Sequence, residues 1–294
     1  MSGYFFVFFS AVLYGIEPTV LEMAVERGIP VETASLMMSV LMIAGFGAVG
    51  LASRVRLRVT RGQLGRLLLL GMLSAGTSIL LASSYAYIPV GCATVIHFLY
   101  PTLTCLVMLI FFGARLTVLR VLAMVFSLAG LVLVTGGVRQ GSPVGVLLAL
   151  CSSFTFAGYT VLTDRFSSLG ALPTTVRMLY INVGCLIMSG TALLLNPQPA
   201  SFSGESAPLL LAATAMIAGA MTCFVRGIDR IGATSAAFFS LFEPLTSMVV
   251  STVVYHYSLG PGTLLGCCLV LAAVLFVALS DREEQRRQPE HRPA

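Results

Sequence analysis

The 294-residue chain contains no lysine; all seventeen basic side chains are Arg, set against twelve Asp and Glu and three His. Charged residues make up 10% and apolar residues 57%, where a soluble domain carries about a quarter charged residues. The polar surface that a water-soluble globule needs is missing. Without lysine there can be neither a Walker-type phosphate loop nor a pyridoxal Schiff base. The three His (His97, His256 and His291) share no metal-ligand spacing, and no metal or other cofactor is expected. The seven Cys are odd in number and all lie in apolar runs. That argues against a disulfide framework, and Cys267-Cys268 lacks a second pair of ligands. The Arg are scattered between apolar runs rather than gathered on one face, so nucleic acid is not an expected partner.

What the chain does have is long apolar runs. A membrane helix needs about 20 mostly apolar residues. Ten such runs can be marked, at 3–24, 33–53, 67–87, 90–113, 118–137, 143–164, 174–195, 207–225, 232–255 and 261–280. Turn signals separate them: Gly28-Ile29-Pro30, Ile88-Pro89, Gly136-Gly137, Asn196-Pro197 and Gly260-Pro261-Gly262. The N-terminus has no basic region ahead of its first run, which is therefore read as a retained span rather than a signal peptide. The charged tail 281–294 is expected to be disordered. The lipid bilayer is the first expected partner, and no room remains for a separate soluble domain.

Arg placement predicts orientation. Numbering the sides alternately, fifteen Arg fall on one side and only Arg27 and Arg139 on the other. This puts both termini in the cytoplasm of a cell (cytoplasmic) membrane protein. Most of these Arg are read as topology anchors. Arg177, a few residues inside the seventh run, is the exception: it faces a pathway or snorkels to the interface.

The chain also repeats. Sliding Ile88–Gly137 onto Ile231–Ser280 without a gap superposes Pro101 on Pro244 and keeps the span boundaries in register. Two five-span halves, 1–137 and 142–280, must be inverted with respect to each other because five is odd. Inverted repeats with a midplane site are a recurring plan of secondary transporters. The expected fold is all-α, with ten transmembrane helices.

This organisation resembles the drug/metabolite transporter superfamily, in its EamA-like branch, over nearly the whole chain. The local stretches that carry the likeness are Ile88-Pro-Val-Gly-Cys-Ala-Thr-Val-Ile-His-Phe-Leu-Tyr-Pro101 and Ala233-Thr-Ser-Ala-Ala-Phe-Phe-Ser-Leu-Phe-Glu-Pro244. Gly113-Ala-Arg-Leu-Thr117 is similar to the family's Gly-Glu-Arg-Leu-Thr, with Ala114 where Glu is usual. The resemblance implies a cavity walled by spans one, three, four, six, eight and nine.

Ionisable groups inside hydrocarbon are costly and point to function. Glu243 lies at the centre of the ninth span on one face with Ser240, Ser247 and Ser251, and Pro244 frees a carbonyl beside it. It reads either as a proton or cation site or as a cap on the broken helix. Glu17 shares a face with Ser10 and Tyr14 and precedes Pro18. His97, with Thr94 and Thr104 flanking Pro101 and Tyr100 adjacent, is either a proton relay or a buried core histidine. Under the repeat, His97 matches Ser240 and Tyr100 matches Glu243. The hydroxyls of the sixth span (Ser152, Thr155, Tyr159 and Thr163) share a face, most simply for interhelical hydrogen bonds. The expected substrate-binding residues are Glu17, Tyr14, His97, Tyr100, Tyr159 and Glu243, with Glu17, Glu243 and His97 coupling protons and Pro18, Pro101 and Pro244 breaking helices.

The expected function is alternating-access export of a small amphipathic solute, cationic or zwitterionic, against protons. A facilitative uniporter of a neutral metabolite is the alternative. A channel does not need an inverted repeat. A membrane enzyme would need a catalytic constellation that these residues do not form. A monomer or weak homodimer is expected.

Overall fold

A computed structural model describes residues 3–88, 90–135, 142–195, 197, 204–255 and 260–287. His256, His291, Arg139 and several of the turn signals (Pro89, Gly136-Gly137, Asn196) lie outside them. Twelve helices are described: α1 (Gly3–Glu26), α2 (Val31–Ala52), α3 (Arg61–Ser84), α4 (Val90–His97), α5 (Tyr100–Phe112), α6 (Val118–Thr135), α7 (Pro143–Arg165), α8 (Ser167–Gly170), α9 (Thr174–Leu195), α10 (Ala207–Phe239), α11 (Phe242–Tyr255) and α12 (Pro261–Arg287). Local sequence explains where several begin. Thr60 and Gln63 form a reciprocal capping box at α3, which satisfies two of its orphan N–H groups. Ser142 accepts from Val144 N–H ahead of Pro143 at the start of α7.

Apolar side chains cover the outside as well as filling the core, and small polar side chains are buried between the helices. Ile110, Phe111, Val118, Val253, Leu194 and Leu195 are exposed, while Ser10, Ser84, Ser152, Ser153, Thr160 and Asn182 are buried. An apolar outer surface of this extent suits lipid rather than water. Among the described residues eight helical segments are long and apolar enough to cross a membrane, one of them Cys92–Phe112 across α4 and α5, and Val118–Leu133 and Phe242–Val254 are shorter apolar helices. The chain is an integral membrane protein.

Three differences from the sequence reading have physical causes. The eighth and ninth runs are separated by a kink rather than a loop: the helix runs past residue 225 and leaves helical geometry at Gly232, at φ 78° and ψ 166°, where the ninth run was expected to begin, before resuming to Phe239. The ninth run is then broken a second time between α10 and α11. The expected disordered tail also begins too early at 281, because α12 is helical through Arg287. Asp281 is 8% exposed, held by hydrogen bonds rather than solvated.

Several helix boundaries coincide under a single shift along the chain. The shift that lays Ile88 on Ile231 carries Val31–Ala52 onto Thr174–Leu195, Tyr100–Phe112 onto α11 to within a residue, and the first residue of α6 onto that of α12. The α6 and α12 pair packs through Ala123, Leu131, Val270, Ala273, Val274 and Val277. α3 and α9 approach until their backbones touch. A Cβ on Gly71 would collide with the Ile181 carbonyl oxygen and lie 2.7 Å from Gly184 Cα. Gly71→Ala is therefore expected to lower stability by about 1–3 kcal/mol through overpacking, read as a lower thermal midpoint in detergent.

Candidate functional site

The two mid-span prolines build the centre of the site. Proline lacks an N–H, so Pro101 leaves the His97 carbonyl without its helical donor. Ser153 Oγ supplies one at 2.8 Å. Pro244 likewise frees the Ser240 carbonyl, which the Glu243 N–H takes at 2.8 Å. The carbonyl expected beside Glu243 is thus occupied within its own turn. The breaks meet each other directly: Tyr100, at the start of α5, hydrogen-bonds Ser240, at the end of α10. Ser240 Oγ donates its proton to Ala237 O, so Tyr100 is the donor.

His97 sits on the α7 side of this centre. Its Nδ1 lies 3.1 Å from Ser152 Oγ. Ser152 donates to Ala149 O, so His97 must donate from Nδ1–H, which leaves Nε2 as the lone-pair nitrogen. Its ring contacts Phe98, Tyr100 and Phe156. Among the described residues no ion pair joins it to Glu17 or Glu243. The neighbouring hydroxyl Thr155 pairs with Thr77 across α7 and α3 at 2.9 Å. These hydroxyls serve helix association.

An aromatic layer lies next to the breaks. Phe156 stacks on Tyr159 and on Phe224, and Tyr100 meets Phe156 edge-on with ring centroids 4.5 Å apart. Tyr159 is 1% exposed and its hydroxyl has no hydrogen-bond partner.

The carboxylates come from α1 and α11. The α1 backbone runs against α11 at Gly15, where a Cβ would lie 2.7 Å from the Glu243 carbonyl oxygen and 2.6 Å from Thr246 Cβ. Only glycine fits, and the close approach brings Glu17 and Glu243 within electrostatic reach of each other. Tyr14 interacts electrostatically with Glu17, Glu243 and Tyr159, and Tyr100 with Glu243. Glu17 is buried, and its Oε1 has no hydrogen-bond partner. Pro18, next to it inside α1, is exposed. Direct contacts join His97, Tyr100, Phe156 and Tyr159 into one layer, and the α1/α11 approach at Gly15 places Tyr14 and Glu17 on a helix packed against the one that carries Glu243.

Two charged clusters escaped the sequence reading of candidate site residues. Asp281 Oδ2 accepts from Tyr4 (α1) at 2.9 Å and Ser235 (α10) at 2.6 Å, and Oδ1 lies 3.4 Å from Arg120 (α6). Arg120 also pairs with Glu284 at 3.0 Å. In the second cluster Arg177 neither snorkels nor reaches water; it is 1% exposed and its Nη1 pairs with Asp229 Oδ2 at 2.6 Å. Both acids lie among several Arg, so their charge looks like interface decoration in the sequence. The available signal was Asp281 ending the last apolar run within reach of Arg120 under the α6/α12 pairing.

Among the described residues no group of three His, Cys, Asp or Glu could hold a metal ion. A solved crystal structure of another protein superposes with a TM-score of 0.81, at 19% identity, covering 95% of this chain and 98% of that one. That likeness concerns the fold. The chain is 29% identical over 207 residues to the uncharacterized transporter sll1319 of Synechocystis sp., covering 67% of this chain and 61% of that protein. It is 26% identical over 208 residues to the uncharacterized transporter YvbV of Bacillus subtilis, covering 68% and 66% respectively. The matches thus span less than two thirds of those relatives' own lengths. The model of the EamA-like transporter family matches residues 1–136 and 143–279. The chain belongs to the EamA-like transporter family.

Proposed function

We propose that this membrane transporter exports a small amphipathic solute, an amine or amino acid, in exchange for protons, by alternating access between inverted halves 1–137 and 142–280. On this reading the chain crosses the membrane ten times, with both termini in the cytoplasm and the Arg-rich connections on that side. The chain works as a monomer or weak homodimer.

The observation that carries the reading is the pair Glu17 and Glu243 on adjacent helices, within electrostatic reach, with one buried carboxylate oxygen lacking a partner. A carboxyl group in hydrocarbon holds either a proton or a cation far more readily than it stands as a bare anion. Two buried carboxyls within electrostatic reach of each other oppose a second negative charge unless a cation joins them. Proton and ammonium therefore compete for one place, which is the thermodynamic requirement for exchange. The faces of Tyr100, Tyr159 and Phe156 suit both an ammonium, through cation–π attraction, and an apolar side chain.

Proteoliposomes with an acid interior and a trapped pH dye test this. Leucine and benzyltrimethylammonium are added outside, since neither crosses a bare bilayer readily. Solute-dependent alkalinisation of the interior, absent from protein-free vesicles, is the expected result. Failure of any ammonium-bearing solute in an amine and amino-acid panel to move protons would contradict the proposal.

A further inference from the structure

We infer that Arg177 docks a carboxylate, so that the transported solute is a zwitterion rather than a plain amine. The inference rests on the transport reading above and specifies its substrate class. Arg177 enters the fold near the start of α9, which begins at Thr174, and its side chain turns into the bundle at 1% exposure. Nη1 donates to Asp229 on α10 at 2.6 Å. Nε and Nη2 are buried and have no partner. In a planar guanidinium these two N–H groups point the same way and form the fork that grips both oxygens of a carboxylate at once. Asp229 thus fixes the plane from one corner and leaves the gripping edge without a protein acceptor.

A buried donor without an acceptor is expensive, and more so on a charged group. Tyr159 adds a third such donor: its hydroxyl is buried without a partner, and the side chain interacts electrostatically with both Arg177 and Asp229. Donors gathered with no acceptor suit an anionic oxygen group, either carboxylate or phosphate. Asp229 already neutralises much of the guanidinium charge, so the unpaired edge is matched to a monoanion, which favours the carboxylate.

Depth gives the order of events. Both α1 and α9 start at the Arg-rich end in the proposed topology. At 1.5 Å per residue Arg177 lies about 5 Å into its helix and Glu17 about 20 Å into its own. The separation is too long for one small solute to touch both. Arg177 is therefore an entry subsite, and the solute passes Tyr159 on its way to Glu17 and Glu243.

The test is a set of thermal-stability titrations of purified protein with benzoate, phenylalanine, phenylalanine methyl ester, inorganic phosphate and benzyltrimethylammonium. The proteins are wild type, Arg177→Gln, Arg177→Lys and Glu17→Gln. Benzoate and phenylalanine are expected to stabilise wild type, and phenylalanine to bind more tightly than its ester. Apparent affinity for both carboxylates should fall roughly tenfold to a hundredfold in Arg177→Gln. Arg177→Lys, which keeps the charge and a partner for Asp229 but loses the fork, should show most of that loss. Benzyltrimethylammonium should bind both Arg177 variants like wild type and lose affinity in Glu17→Gln.

Equal carboxylate binding by Arg177→Gln, no carboxylate binding by wild type, or stabilisation by phosphate alone would each overturn the inference. If both Arg177 variants fail to give a monodisperse protein, the ester decides: binding as tight as phenylalanine overturns it. Glu17-dependent ammonium binding without Arg177-dependent carboxylate binding would sink the inference and spare the transport reading. The opposite pattern would do the reverse.

Discussion

Glu17→Gln and Glu243→Gln are each expected to cut pH-driven exchange by at least tenfold while leaving the protein folded. The amide is nearly isosteric with the carboxyl but cannot release a proton or balance an ammonium. Glu17 Oε1 has no protein partner, so little packing or hydrogen bonding depends on its charge. Glutamine also keeps the shape and polarity of the protonated carboxyl that hydrocarbon favours, without any buried charge. Thermal midpoints of both variants are accordingly expected to stay at or above wild type. The comparison that matters is transport per folded molecule in proteoliposomes, with monodispersity checked beforehand. Wild-type exchange rates in either variant would remove that carboxylate from the coupling step.

Asp281→Ala is the second large effect, and it is on stability. Its carboxylate receives hydrogen bonds from α1 and α10 and faces Arg120 on α6. The side chains of Asp281 and Arg120 are 10% and 8% exposed. Deleting the acid leaves Arg120 with Glu284 and the Arg115 carbonyl oxygen, and leaves the Tyr4 and Ser235 hydroxyls without that acceptor. Breaking a buried pair in this way costs about 3–5 kcal/mol. A thermal midpoint well below wild type is expected, with Arg120→Ala similar and the double variant much less than additive. A midpoint for Asp281→Ala within error of wild type would show that the cluster carries no stability.

What the sequence made legible was whatever depends on apolar runs and on proline. Eight of the expected spans stand as long apolar helical segments among the described residues, and Pro101 and Pro244 each lie beside a helix break. Tyr14, Glu17 and Glu243 were picked from single-helix faces, and the helices that carry them, α1 and α11, pack closely because Gly15 has no Cβ. That contact has no signature in a periodicity. Arg177 was readable as an oddity, but its partner was not, because Asp229 lies between Arg226 and Arg230 and looks like part of a solvated connection. Asp281 was assigned to a tail on composition. Helix α12 instead carries it on for nearly two more turns past the apolar run, with Tyr4, Ser235 and Arg120 around it. The helical link between the eighth and ninth runs was missed for a related reason. The polar connection is itself helical up to Gly232, the one residue there with a positive φ.

Proton release on ligand binding tests the exchange site most directly. Purified protein in weakly buffered detergent near pH 7 is titrated with benzyltrimethylammonium or the tightest ammonium ligand found, and the protons displaced per ligand bound are counted. About one proton per ligand is predicted for wild type, falling towards zero in Glu17→Gln combined with Glu243→Gln. Binding that displaces no proton from wild type, or the same number from the double variant, would contradict the account.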